Sequence, residues 1–565
     1  MGEKISLLFP DQTLNFKTLS DITIHDIGMD VIVKKLSTLE NERIYIMNVM
    51  KMMAADPFNA GYRADVFDDI YKNKKMRDTL LKLFDRINFL REFGSFKRDH
   101  EHEPGVWDLL HRLEEIRDYI ECIEAIHACL AETDIHSEGL NRLRDYVNHI
   151  YEDNALDALK KDIKDLKANT GNLKSVTVGI NLNERFEATD LGVISINSKP
   201  FSKSHIVSHF IDKVTGDSIN KDADWDGSYR FDEFTIKGKI TNDKDFVIPA
   251  FSPLALMSLR HIPEGEESER GITNYMDEVA GRLLSKTVRH LREVLGKYAM
   301  LAITDITDLM PEFIYYIRWA EFIEKLSEKG FLFCKPEICK EADTSLAMDA
   351  KGVYNLKLIE NGGISFSDIV LNSLRFTDDL WLYILTGANR GGKTTITQAI
   401  GQLYFLAQGG IYVPGISFSY RPVDAIYTHF PADEDKTLDL GRLGEECKRF
   451  KDMYDNATKD SLFLLNETFS TTSFEEGFFI AKDCIKAILQ KGIRTIYNTH
   501  MHKLAYDIDE INADASKFKA ASLIVLNQGS ERSYSIKVAP PEGMSYANDI
   551  AKRYGVTFDM LTEGK

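Results

Sequence analysis

The stretch TGANRGGKTT, residues 386–395, sets Gly387, Gly392, Lys393 and Thr394 at the spacing G-x-x-x-x-G-K-[ST]. An apolar run, WLYIL, precedes it and an amphipathic run, ITQAIGQLYFLA, follows, so the glycines fall in a strand-to-helix turn. Glycines let successive backbone N–H groups curl around phosphate oxygens, and a helix beginning at Lys393 adds its positive end. Lys393 is suited to neutralise the terminal phosphates and the Thr394 hydroxyl to reach Mg²⁺. Packing alone does not call for glycines and a lysine at this spacing.

A second apolar run, SLFLL, ends in Asn466 and Glu467. In a phosphate-loop ATPase the first position carries a carboxylate that holds Mg²⁺, usually through water, and a following glutamate polarises the attacking water. Here the first is an amide, which can still accept a hydrogen bond from a metal-bound water but brings no charge. Glu467 is therefore expected as the general base, with Asn466 retuning metal retention. A third run, GIRTIY, is expected to form a strand ending in Thr499 and His500, where a histidine can sense the γ-phosphate. A lone histidine is more often structural, yet three strand ends meeting at one edge of a parallel sheet form the usual ligand site of such folds.

The elements that must position these groups follow from the hydrophobic period. From Leu36 to about Leu130 apolar residues recur at helical spacing, and the polar stretch from Leu140 to Lys174 has the pattern of an extended helix. SVTVGINL and LGVISINSK switch to β-branched alternation and read as paired strands. Short strands and polar turns are expected between Pro200 and Glu269, then a very long helical stretch up to Gly330. After Phe331 strands alternate with helices to the end, as in an α/β nucleotide-binding domain. The fold expected is multidomain: a mostly α core and lever with a small β-containing tip, then a C-terminal α/β domain.

Composition narrows the function classes. At 565 residues, 44% hydrophobic and 28% charged, the chain resembles an ordinary globular protein of several domains. Its apolar runs fall short of the ~18 residues of a membrane helix, and its start lacks the pattern of a secretory signal. Gly2 and Ser6 fit the loose myristoylation pattern, which chance accounts for. Six scattered cysteines suit a reduced, cytoplasmic protein, and FCKPEIC has no zinc-ligand spacing. A net charge of −18 repels polyanions at long range, so any nucleic-acid contact needs a local basic face. Lys199, Lys203 and His205 in the tip, with Arg282, Lys286 and Arg289, could supply phosphate contacts, although acids lie among them. DADWDGSYRFDE matches the EF-hand loop through Asp222, Asp224, Asp226, Gly227 and Glu233, but a strand-like exit favours an acidic β-turn.

Together these motifs resemble the MutS family of DNA mismatch-repair ATPases, within the ABC-type branch. TGANRGGKTT is similar to the family's T-G-P-N-M-G-G-K-S-T, departing at Ala388, Arg390 and Thr394. GGIYVPG and PVDAIYTHF resemble its G-x-x-V-P-A and V-D-x-I-F-T-R stretches. LLNETFSTTSFEEG is similar to L-M-D-E-x-G-R-G-T-S-x-x-D-G in Glu467, Thr472, Ser473 and Gly477. GMSYANDIAKRYGV resembles the closing helical segment used in dimerisation. The resemblance implies ATP and Mg²⁺ as ligands, held by Gly387, Asn389, Arg390, Gly391, Gly392, Lys393, Thr394 and Thr395, with Thr394 and Asn466 on the metal. Glu467, His500 and Lys393 would be the catalytic residues.

The resemblance also implies a domain order: 1–135 helical core, 136–300 lever and clamp-like region, 301–345 return to the core, 346–565 ATPase domain with a C-terminal dimerisation segment. A homodimer clamping on DNA is expected, with the LGRLGEE turn and Thr472–Ser473 acting across the interface. Departures adjust this picture. The N-terminal mismatch-reading and connector domains and an Smr nuclease tail are expected to be missing, so structured or branched DNA is the expected substrate. GRLGEE stands where the family has G-R-S-T-F-M and lacks its serine. Two other readings remain open: an ABC-type regulator acting on RNA, ribosomes or a protein partner, and an ATP-gated interaction protein that does not hydrolyse.

Overall fold

The computed structural model describes residues 5–10, 13–83, 117, 120–121, 123–152, 157–158, 160–162, 164, 175–185, 188–197, 260–261, 303–339, 346–359, 364–387, 391–431, 441–515, 517–528, 531–541, 552 and 554–562. Expectations for Ala388, Asn389 and Arg390, the acidic loop 222–233, the tip and returning-helix basic residues, and most of the closing GMSYANDIAKRYGV segment lie outside them. The chain divides into two units, one of Met1–Leu81, Cys129–Asp145 and Thr304–Lys565, the other of Lys82–Ala128 and Tyr146–Ile303.

The first unit is built on a six-stranded sheet. Its strands are β1 (Leu380–Thr386), β2 (Ile426–His429), β3 (Leu462–Asn466), β4 (Arg494–Asn498), β5 (Lys519–Gln528) and β6 (Glu531–Val538), in the order β2-β3-β4-β1-β5-β6. The first five are parallel, and β6 closes the sheet as the antiparallel arm of a hairpin with β5. Every residue of LFLLN and RTIYN is buried, as expected of central parallel strands covered on both faces.

The long helices that follow its strands are α1 (Lys393–Gln408), α2 (Gly441–Asn456) and α3 (Phe474–Lys491). Ile485, Ile488 and Leu489 of α3 pack with Phe463 and Leu465 of β3 and Phe450 of α2 in one apolar core. The helix α3 starts at Ser473, whose hydroxyl accepts the Glu476 N–H, and stops at Gly492 in the left-handed region.

Strict strand–helix alternation after Phe331 does not hold. A separate four-stranded sheet forms first, in the order Pro336–Ile338, Ser417–Tyr420, Leu346–Val353, Asn372–Thr377, with two short 3-10 turns between its last two members. Its strands pair mostly antiparallel, so near neighbours in sequence need no crossover helix.

Helices Glu40–Lys51, Pro57–Lys72 and Ile303–Ser327 belong to the same unit. Arg63 is buried among them and donates to the carbonyls of Leu8 and Gln408, the latter at the end of α1. The Tyr315 hydroxyl donates to Gly409 and that of Tyr316 to Leu7. Buried donors therefore fasten both the N-terminal segment and α1 to the helical layer.

In the second unit, Ser175–Leu182 and Ala188–Asn197 form the expected antiparallel pair, with Ser175 opposite Asn197, and Arg260–His261 adds a third short strand. Among the described residues no helix is long and apolar enough to cross a membrane.

Candidate functional site: a phosphate loop over three strand ends

Between β1 and α1 the chain turns through two left-handed glycines, Gly387 at φ +147° and Gly392 at φ +91°. A Cβ at 392 would stand 3.3 Å from the Tyr534 ring and one at 387 would stand 3.1 Å from Val525, so both torsion and space require glycine. Gly392 caps α1 without a side-chain hydrogen bond, which leaves the first-turn N–H groups unclaimed by a capping side chain. Lys393 is buried, and its Nζ donates to the Gly387 carbonyl at 3.0 Å, closing the loop on itself. Burial pushes its ammonium below the ordinary lysine range, and the nearby Glu467 carboxylate pulls it back.

The ends of β3 and β4 face the start of α1. The Thr394 hydroxyl lies 3.1 Å from Asn466 Oδ1, so the two residues expected to share a metal do meet. Beside Asn466 and Thr394 sits a residue that no motif in the sequence marks. Asn498, opposite Asn466 in the ladder, donates its Nδ2 to Asn466 Oδ1 and lies 3.4 Å from Thr394 Oγ1. The strand β4 ends at Asn498, before Thr499 and His500, so the expected boundary needs correcting, although the Thr499 N–H still bonds to the Leu385 carbonyl of β1.

Glu467 leaves β3 at φ +53°, in the left-handed region, with its N–H bonded to the Asn498 carbonyl at 2.9 Å. That conformation costs a non-glycine residue roughly 1–2 kcal/mol, and here it brings the carboxylate to His500. Oε1 lies 3.0 Å from His500 Nε2 and Oε2 accepts the His500 N–H at 3.2 Å. His502, one turn further, stands close enough to Lys393, Glu467 and His500 to feel their charges, and burial lowers its pKa.

One further expectation is corrected. LGRLGEE is not a turn over residues 441–446, because Gly441–Asn456 is helix α2, whose Leu443, Cys447, Phe450 and Tyr454 recur at helical spacing against the core. Thr472 and Ser473 form the start of α3: Thr472 Oγ1 donates to Glu476 Oε2 at 2.6 Å while Ser473 caps the helix. The S-x-x-E spacing was the sequence signal for that cap.

The Thr394 hydroxyl and Asn466 Oδ1, 3.1 Å apart, are hard oxygen groups of the kind that suits Mg²⁺.

Residues 383–559 match the family described as MutS domain V, and residues 56–216 match the MutS2 N-terminal domain. The chain is 25% identical over 305 residues to a protein named Endonuclease MutS2 from Finegoldia magna, covering 53% of this chain and 38% of that one. It is 32% identical over 193 residues to a DNA mismatch repair protein MutS from Chlorobium chlorochromatii, covering 32% and 22%. A Thermus thermophilus Endonuclease MutS2 is 26% identical over 197 residues, 34% and 25% of the two chains. The chain thus spans well under two thirds of these relatives' length. Through both matches the chain is similar to the MutS family over residues 56–216 and 383–559, the second stretch holding the glycine-rich loop and the parallel strand ends beside it.

Proposed function

We propose that the chain is a Mg²⁺-dependent ATPase that couples nucleotide binding and hydrolysis to clamping on DNA. One observation carries this reading: Lys393, Thr394, Asn466, Glu467 and His500 meet at the C-terminal edge of the adjacent parallel strands β3, β4 and β1. In parallel α/β sheets that edge is where ligands bind.

The backbone from Gly387 through Asn389, Arg390 and Gly391 to Gly392, with Thr395, would cradle the phosphates while Lys393 neutralises their charge. Mg²⁺, held by Thr394 and through water by Asn466, would supply charge stabilisation for the phosphoryl oxygens. Glu467 takes the proton of the water attacking the γ-phosphorus. His500, already in contact with that carboxylate, fixes its orientation and stands where it can meet the γ-phosphate. As a neutral ligand, Asn466 holds the metal more weakly than a carboxylate would.

Assembly follows the family's form: a cytoplasmic homodimer with two such sites, acting on structured or branched DNA. The names of the relatives, one a mismatch repair protein and two endonucleases, support DNA as the partner. Contact would run through phosphates on a local basic face, because the net charge of −18 opposes general attraction.

Steady-state ATP hydrolysis by wild type, Lys393→Ala and Glu467→Gln tests the catalytic half. Turnover by wild type no faster than by either variant would rule it out. Gel shifts with duplex, mismatched, four-way and single-stranded DNA at two salt concentrations, with and without ATP, test the other half; absence of binding to all four removes the DNA assignment.

A further inference from the structure

Asn498 is the buried polar group beside the phosphate loop that the proposed mechanism leaves unused. It is fully buried, Asn466 is nearly so, and the two face each other across the β3–β4 ladder. Asn466 Oδ1 receives the Asn498 amide on one side and lies 3.1 Å from the Thr394 hydroxyl on the other. Asn498 Oδ1, by contrast, has no partner. A buried carbonyl oxygen left in that state is costly, and turning the Asn498 amide over would leave its NH₂ there instead.

Two amides in contact have two self-consistent pairings. In the observed one, Asn498 donates and the oxygen of Asn466 faces Thr394. With both amides turned over, Asn466 would donate to Asn498 Oδ1, satisfying it, but would then aim its NH₂ at Thr394 and at any cation beside it. A carboxylate at position 466 would present oxygen in either orientation. An amide needs something to choose its face.

We propose that Asn498 is a positioning residue that locks the Asn466 amide with its oxygen toward Thr394, so that an uncharged side chain serves as the acceptor for the metal's water. This rests on the Mg²⁺-nucleotide reading above and deepens it. The lock is specific to an amide: with aspartate at position 466, Asn498 has no orientation to select.

The test is a double-mutant cycle read by binding rather than turnover. A fluorescent ATP analogue is titrated with Mg²⁺ on wild type, Asn498→Leu, Asn466→Asp and the double variant, with a parallel titration in EDTA. In the Asn466 background, Asn498→Leu should raise the Mg²⁺ concentration for half-maximal binding about tenfold, as loss of one buried orienting hydrogen bond implies. In the Asn466→Asp background the same change should shift it less than about twofold, and Asn498→Leu should leave the metal-free affinity unchanged in either background. Asn498→Ser, smaller and still polar, should shift the wild-type requirement in the same direction if the leucine variant fails to fold. Equal shifts in both backgrounds, or none in either, would overturn the proposal while leaving the Mg²⁺-nucleotide reading intact. Failure of wild type to bind the analogue at any Mg²⁺ concentration would overturn both.

Discussion

The Glu467 carboxylate is held by His500 at two points, Oε1 against the ring Nε2 at 3.0 Å and Oε2 against the backbone N–H at 3.2 Å. Sequence separates the two by a whole helix, α3, and a strand, β4; the parallel pairing of β3 with β4 brings them together. The ring is half exposed, so its contact with Glu467 contributes little to folding and its effect should appear in turnover. His500→Ala should lower kcat by about a hundredfold or more with unfolding free energy changed by less than about 0.5 kcal/mol. Stopped ATPase assays beside urea denaturation check both. A loss of stability large enough to account for the lost turnover would assign His500 a structural role.

Gly392 should not tolerate a side chain, for two separable reasons. Its φ of +91° strains any L-residue, and a Cβ would press on the Tyr534 ring. Gly392→Ala is expected to cost roughly 1–2 kcal/mol in stability and at least tenfold in nucleotide affinity, because the N–H groups of the loop lose their aim. Tyr534→Ala should fail to rescue it, since the torsion remains; full rescue would make the ring contact the cause.

Ser473 caps α3, and Thr472 fastens Glu476 in the same turn. Ser473→Ala should destabilise the protein by about 1 kcal/mol, whereas Ser473→Asp should be nearly neutral because aspartate caps as well. Urea midpoints at constant m-value decide. Equal behaviour of the two variants would show that the hydroxyl acts elsewhere.

His429, at the end of β2, is buried, and burial beside Arg449 pushes its pKa down to about 4 from the ordinary 6.5. Between those values the unfolded chain binds a proton that the folded chain refuses. Its contribution is therefore fully present above about pH 6.5 and is lost as the pH falls toward 4, at no more than about 1.4 kcal/mol per unit. His429→Gln should flatten the slope of stability against pH in that window, measured by thermal unfolding from pH 7 to 4.5. An unchanged slope would mean that other groups govern acid unfolding.

Much of the site was legible because the chemistry of phosphate binding is local. A strand, two glycines in strained torsions, a lysine and a threonine lie within fifteen residues, and no distant contact is needed to recognise them. Glu467 and the antiparallel pair at 175–197 were readable for the same reason, as a motif end and an alternating pattern. The altered signature misled, because GRLGEE carries turn-forming glycines while the helical spacing of Leu443, Cys447 and Phe450 becomes clear only when their shared core is seen. The small sheet before the phosphate loop was missed likewise, since its partner strand Ser417–Tyr420 lies far along the chain.

The sequence by itself determined which groups could hold a phosphate-bearing ligand, since residue type and short spacing define hydrogen-bonding capacity and backbone freedom. Which groups act together was decided by the tertiary structure. Asn498, indistinguishable in sequence from any strand-end amide, matters because the register of β4 against β3 sets it opposite Asn466, and a shift of one residue would have turned it to the other face of the sheet.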